Sequence, residues 1–197
     1  MKLLNVAFVI LFFCVCLYSQ KSTTADCRLQ ELAVDAALGK AEAQYDLGVE
    51  FYTGANVAQD FSKAAVMWRL AIEAKGYTGA FNNLAYLTYY GKGVKQDYAE
   101  GIRMWRIAAE NGFSESQIHL ATAYSDGRHL KAEYGEAYAW AKTGKHFAKQ
   151  MKDLEITKMA DRRLTEVRKR LSNSQVTQAE KKAAEYIIKF APKNTPS

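Results

Sequence analysis

The sequence predicts an all-α fold, an α/α superhelical solenoid of helix-turn-helix repeats, on the strength of three observations. The first is self-similarity. Leu84, Gly91, Val94, Asp97, Trp105 and Ala108 each have a counterpart 37 residues earlier, in Leu47, Gly54, Val57, Asp60, Trp68 and Ala71. A third and more worn copy lies 36 residues later, with Leu120, Gly127, Leu130, Glu133 and Tyr134 standing for Leu84, Gly91, Val94, Asp97 and Tyr98. The second is that each copy holds two segments with apolar residues at helical spacing. The third is that the loop between them carries helix-stopping glycines followed by a helix-starting acid. A period of this length marks a repeat array whose helix pairs must stack on neighbours to bury their apolar faces.

The elements follow in order. Residues 1–20 read as a secretory signal peptide: Lys2, then an apolar run over residues 3–17 broken only by Asn5, then small and polar residues, with cleavage near Ser19 or Gln20. The apolar run is shorter than the roughly 20 residues of a membrane span, so a periplasmic or secreted protein is expected. Neither Cys14 nor Cys16 follows the small residues of a lipoprotein signal. Once the leader is gone, Cys27 is the last cysteine, which excludes a disulfide framework. Such an odd thiol is either buried and inert or available for pairing between chains. Residues 27–39 form an amphipathic cap, with Leu29, Leu32, Ala33, Ala36 and Ala37 on one stripe and Gly39 closing it.

Residues 40–146 hold the three repeats. The first A helix spans 42–52, with Ala43, Leu47, Gly48 and Phe51 on its buried stripe. Gly48 there permits close approach of the next helix, and Gly54 ends the helix. In the clearest loop, Gly91-Lys92-Gly93-Val94, both glycines permit positive φ and Val94 turns back toward the core. Asp97 follows as N-cap, with Glu100 at capping-box spacing. Asn56 and His129 replace the second glycine in the other copies, as turn residues of types enriched at positive φ. Trp68 and Trp105 are the buried wedges of the B helices. In the third B helix, 134–146, Trp140 stands one residue out of register, so packing there must differ. A helix pair closes the chain over 150–190. Its first stripe is Ala160, Leu164, Val167 and Leu171; a Ser172/Gln175 capping box opens the second, where Val176, Ala179, Ala183, Ile187 and Phe190 face inward. The tail, 191–197, is expected to fray.

Little in the sequence suggests chemistry. His119, His129 and His146 are scattered, and no paired His or Cys spacing offers a metal site. Glu115 and His119 share a helix face at i, i+4 and read as solvent-exposed. The loop from Gly91 to Gly93 lacks the Lys-Ser/Thr ending of a phosphate cradle. No catalytic, cofactor-binding or metal-ligating residue is therefore assigned, and no cofactor is expected. The candidate site is instead a partner-binding surface on the A helices, outside their buried stripe: Tyr52, Asn82, Asn83, Tyr86, Tyr89 and Tyr90, extended by His119 and Arg128. The formal net charge of +6 is concentrated in a basic stretch over residues 142–170, from Lys142 to Arg170, where ten Lys or Arg stand against four Asp or Glu. It reads as a solvated helix face able to meet an anionic membrane surface or an acidic partner. Nucleic acid is not an expected partner of an exported protein.

Three strings carry a resemblance: Ala43-Gln44-Tyr45-Asp46-Leu47-Gly48, Gly91-Lys92-Gly93-Val94-Lys95-Gln96-Asp97-Tyr98, and Trp105-Arg106-Ile107-Ala108-Ala109-Glu110-Asn111-Gly112. Over residues 39–144 the chain resembles the Sel1-like repeat family, relatives of tetratricopeptide repeats, in its exported bacterial type. The closing helix pair is similar to a common ending of bacterial members. The resemblance implies a superhelix whose concave face binds a protein partner, with no shared catalytic residues. The expected function is a non-catalytic adaptor or scaffold in the cell envelope or outside the cell. One alternative is an immunity-type inhibitor of a toxic secreted effector. Another is a weak β-lactam-binding or β-lactam-hydrolysing enzyme, by analogy with a cysteine-rich branch whose repeat-bridging cysteine pairs this chain lacks.

Overall fold

A computed structural model describes residues 24–127, 129 and 131–191. The expected signal peptide, Arg128, Leu130 and nearly all of the expected frayed tail lie outside the described residues. The described residues hold nine helices and no strand: α1 (Thr24–Ala37), α2 (Ala41–Thr53), α3 (Phe61–Lys75), α4 (Thr78–Tyr90), α5 (Tyr98–Glu110), α6 (Ser114–Asp126), α7 (Tyr134–Gln150), α8 (Leu154–Arg168) and α9 (Asn173–Lys189). They fall into two compact units. One comprises the chain up to residue 80 with 91–95, and the other comprises 81–90 with everything from 96 onward.

In the first unit, α1 covers the first repeat as its stripe requires. Ala33 and Ala36 pack with Ala43 and Leu47, and Leu29, Leu32, Phe51 and Met67 seal the edge. Trp68 is the wedge, 1% exposed, and its indole N–H donates to the Tyr45 carbonyl at 3.2 Å. It fits because position 48 has no side chain: a Cβ on Gly48 would lie 2.4 Å from the Trp68 Nε1. Gly54 ends α2 in the left-handed region at φ 70°, and the Asp60 side chain starts α3 by accepting from the Lys63 amide at 2.9 Å. That bond holds the Asp60 carboxyl below the usual carboxylate range. Gly93 is required twice over. Its φ is 66°, and a Cβ there would sit 2.6 Å from the Phe61 carbonyl carbon.

Three readings are corrected or settled by the structure, two in the first unit and one in the second. Asn56 does not adopt positive φ; among the described residues only Lys152, outside glycine, does so. Asn56 closes its loop with a side chain instead, donating from Nδ2 to Glu50 Oε2 at 2.8 Å. Cys27 is not buried but exposed, because it sits off the apolar stripe of α1. The third correction concerns α7, which runs on to Gln150 rather than ending at His146, since no breaker intervenes.

In the second unit, Trp105 and Trp140 are both buried. Trp140 is out of register because it serves a different neighbour: it packs on Tyr186 of α9 and on Phe190 that caps it, with ring centroids 4.5 and 5.6 Å away. A core of Ala137, Tyr138, Val167, Leu171 and Ala179 ties α7 to the closing pair. The Ser172/Gln175 capping box is complete, each partner satisfying the other's backbone amide. The Asp97/Glu100 box is only half made. Asp97 accepts from the Glu100 amide, but the Glu100 carboxylate is engaged bidentately by Arg103, with both N–H···O distances 2.7 Å. A charged fork three residues away outcompetes a neutral backbone amide. Much of the basic stretch is paired locally, as in Lys142 with Glu180, Lys145 with Asp161, Lys158 with Glu155 and Arg163 with Glu166.

Candidate protein-binding surface

The candidate residues of the second repeat lie on α4, with α5 and α6 packed against it inside the second unit. Leu84, Ala85 and Leu87 face the core. Asn82 joins them: it is 2% exposed, so its placement on the open surface is corrected. The helix turns it toward α6, where a buried amide needs partners. Ser116 Oγ donates to its Oδ1 at 2.7 Å, and its Nδ2 donates to Glu115 Oε2 at 2.9 Å and to Asn83 Oδ1 at 3.2 Å. Asn82 therefore supports the surface from beneath by fixing the Glu115 carboxylate.

Above this polar link runs a chain of aromatic rings. His119 stacks on Trp105 with centroids 4.4 Å apart and planes at 13°. Its side chain is only 16% exposed, so the expected solvated position is also corrected; Nε2 lies 3.8 Å from Glu115 Oε1, within ion-pair reach but beyond a hydrogen bond. Tyr89 lies 4.8 Å from Trp105, 5.0 Å from Tyr98 and 5.0 Å from Tyr90. Tyr86 lies 4.7 Å from Tyr90 and 6.3 Å from His119. Tyr90 is the most open of these rings, 48% exposed, whereas Tyr86 and Tyr89 are half-buried.

The rest of the candidate set is not brought to this surface by the second unit. Tyr52 belongs to the first unit, where it packs on Phe61 and Trp68 at 5.5 and 5.7 Å. Arg128 lies outside the described residues. Conversely, His129 joins the rings, stacked on Tyr98 with planes at 9° and edge-on to Tyr89 at 5.7 Å. Reading His129 only as a turn residue missed this. Its position nine residues after the A-helix leucine is shared by every copy, so the loop was readable but the stacking partner was not.

What the arrangement offers is apolar ring area, a half-exposed carboxylate at Glu115 and the amide of Asn83. Among the described residues no group of three His, Cys, Asp or Glu side chains is placed to hold a metal ion. No described helix is long and apolar enough to cross a membrane.

Helix pairs with recurring wedges and glycine-ended loops define an α/α repeat protein of the tetratricopeptide-like class. The Sel1 repeat family model matches residues 41–75, 80–113 and 114–143, each match holding one A helix and at least the start of its B helix. The chain belongs to the Sel1 repeat family. Among solved structures it is similar to a protective antigen present in uropathogenic Escherichia coli strains that displays an SLR fold. The identity is 30% and the TM-score 0.72, over 83% of this chain and 33% of that one. The chain thus spans about a third of the length of that relative. It also shares its fold with a Sel1 repeat protein from Oxalobacter formigenes, at 24% identity and TM-score 0.55, over 71% of this chain and 98% of that one. No curated protein sequence matches. Sel1 repeat proteins are generally protein-interaction adaptors, and the fold is typically a non-catalytic scaffold.

Proposed function

We propose that this chain is a non-catalytic protein-protein interaction adaptor acting in the cell envelope or outside the cell, and that it meets its partner through the α4 surface around Tyr86, Tyr90 and His119. The observation that carries the reading is the aromatic chain itself. Tyr89 and His119 brace the rings from Trp105 outward, so Tyr86 and Tyr90 present rigid, pre-positioned ring area with little ordering entropy left to lose. Glu115, held from below by Asn82, adds one oriented acceptor at the rim. Residues that touch Trp105 serve the core as well as the surface, so the informative substitutions are those furthest from it.

The test compares the wild-type chain with a Tyr86→Ala/Tyr90→Ala variant as bait in envelope and culture-medium extracts. One protein recovered by the wild type and lost with the variant, at unchanged helix content, is the expected result. Truncating two such anchors should cost at least tenfold in affinity for that protein. Recovery of the same protein by both baits would refute the surface, and recovery of none from any extract would refute the adaptor reading. The leader-like residues 1–20 support export, which fractionation and N-terminal sequencing of the native protein would test.

A further inference from the structure

An open groove of about 720 Å³ lies between α1 and α2, wholly inside the first unit. Leu29, Leu32 and Val49 form its apolar floor, and Glu31, Asp35, Asp46 and Glu50 rise around it against Arg28 alone. In a chain of net charge +6 this is a local inversion of sign. Asp35 accepts from Lys40 and Glu50 from Asn56, yet the groove remains crowded with like charge. The Asp46 carboxyl is raised by burial first, then by Glu42, with Glu50 adding to it and Arg28 opposing. A cation entering the groove would relieve that repulsion.

A matching shape exists on the same chain. The turn between α7 and α8 carries two of the most exposed large apolar side chains among the described residues, Met151 at 78% and Leu154 at 70%. Lys149 and Lys152, both exposed, stand beside them. The turn is a fixed knuckle. The Met151 amide donates to the Phe147 carbonyl, the Asp153 amide donates to the Ala148 carbonyl at 2.8 Å, and Lys152 is held at φ 58°. Packing inside the second unit leaves these two apolar side chains and two lysines facing outward.

We propose that a second copy of this chain fills the α1–α2 groove with its α7–α8 knuckle, Met151 and Leu154 on the floor and Lys149 and Lys152 against the carboxylates. Groove and knuckle are different surfaces, so the contact is heterologous and each copy keeps one unused half of it. A contact this small is weak, with a dissociation constant on the order of 10–100 µM. Because charge steers it, raising the salt should weaken it about tenfold.

Sedimentation velocity on the purified chain tests this, independently of the adaptor's partner. Weight-average mass should rise with concentration at low salt and fall back at high salt. Two charge-reversed variants, Glu31→Lys/Asp46→Lys in the groove and Lys149→Glu/Lys152→Glu in the knuckle, should each stay monomeric. Mixed together they should associate again, because the intact knuckle of the first meets the intact groove of the second. Met151→Ser/Leu154→Ser should also be monomeric, and circular dichroism on each variant separates this from misfolding. A wild type that is monomeric throughout, self-association that survives either reversal, or a mixture that stays monomeric would overturn the proposal. Binding of some other basic protein to a monomeric wild type would overturn it as well.

Discussion

Gly48→Ala probes the contact by which the Trp68 ring packs on a bare stretch of α2. By intrinsic propensity alone, alanine should strengthen α2 by about 1 kcal/mol. The tertiary structure opposes this, because the new methyl would lie 2.4 Å from Nε1 and 2.6 Å from Cδ1 of Trp68, in a side chain 1% exposed. The indole must withdraw, at an overpacking cost of about 1–3 kcal/mol. It would also give up its bond to the Tyr45 carbonyl, for about 1 kcal/mol more. The net is a destabilisation of about 1–3 kcal/mol. Gly135→Ala is the control: it lies in the first turn of α7, and nothing stands within 4 Å of its added Cβ. It should be neutral or stabilising by about 0.5 kcal/mol. Urea unfolding followed by far-UV circular dichroism would compare the two midpoints. If Gly48→Ala matched Gly135→Ala, the claim that Trp68 requires a bare backbone at position 48 would be wrong.

Other expectations follow from the same contacts. Trp105→Ala should cost about 3–5 kcal/mol, and the His119 ring protons should lose their upfield NMR shift as the stack disappears; unchanged shifts would contradict the stacking. Ser172→Ala removes the side-chain half of the complete Ser172/Gln175 capping box and should lower stability by about 1 kcal/mol, read from the unfolding midpoint. The Asp60 and Glu100 carboxyls are both held below their usual range, by the Lys63 amide and by Arg103 respectively. A group depressed on folding stabilises above its unfolded value and loses that contribution as pH falls through its folded value. NMR titration should therefore find both carboxyls still ionised where free ones protonate. Asp60→Ala should flatten the acid limb of the stability curve while lowering stability at neutral pH. Partial exposure of both sites keeps these effects small.

Much of the fold was readable because it rests on local rules. The wedge tryptophans, the left-handed Gly54, Gly91 and Gly93, and the Ser172 cap are each set by a residue's own conformational or hydrogen-bonding preference and by spacing a few residues long. Where a local rule failed, a competing partner had won. Arg103 took the Glu100 carboxylate, and Glu50 let Asn56 close its loop without positive φ. The binding surface was less legible. Periodicity placed Tyr86, Tyr89 and Tyr90 on α4, but burial depends on which neighbour a helix face meets, and this moved Asn82 inward and left Tyr86 and Tyr89 half-buried.

The sequence by itself determined the repeat, its register and the chemistry of its loops, since a period of 36–37 residues records which positions must be apolar, small or capping in every unit. Only the tertiary structure decided which side chains those units leave over, and for what. Trp140 turned to α9, His119 and His129 joined rings on other elements, and the α1–α2 groove gathered four carboxylates from two helices. Such assignments depend on contacts between residues far apart in the chain, and no single helical period encodes them.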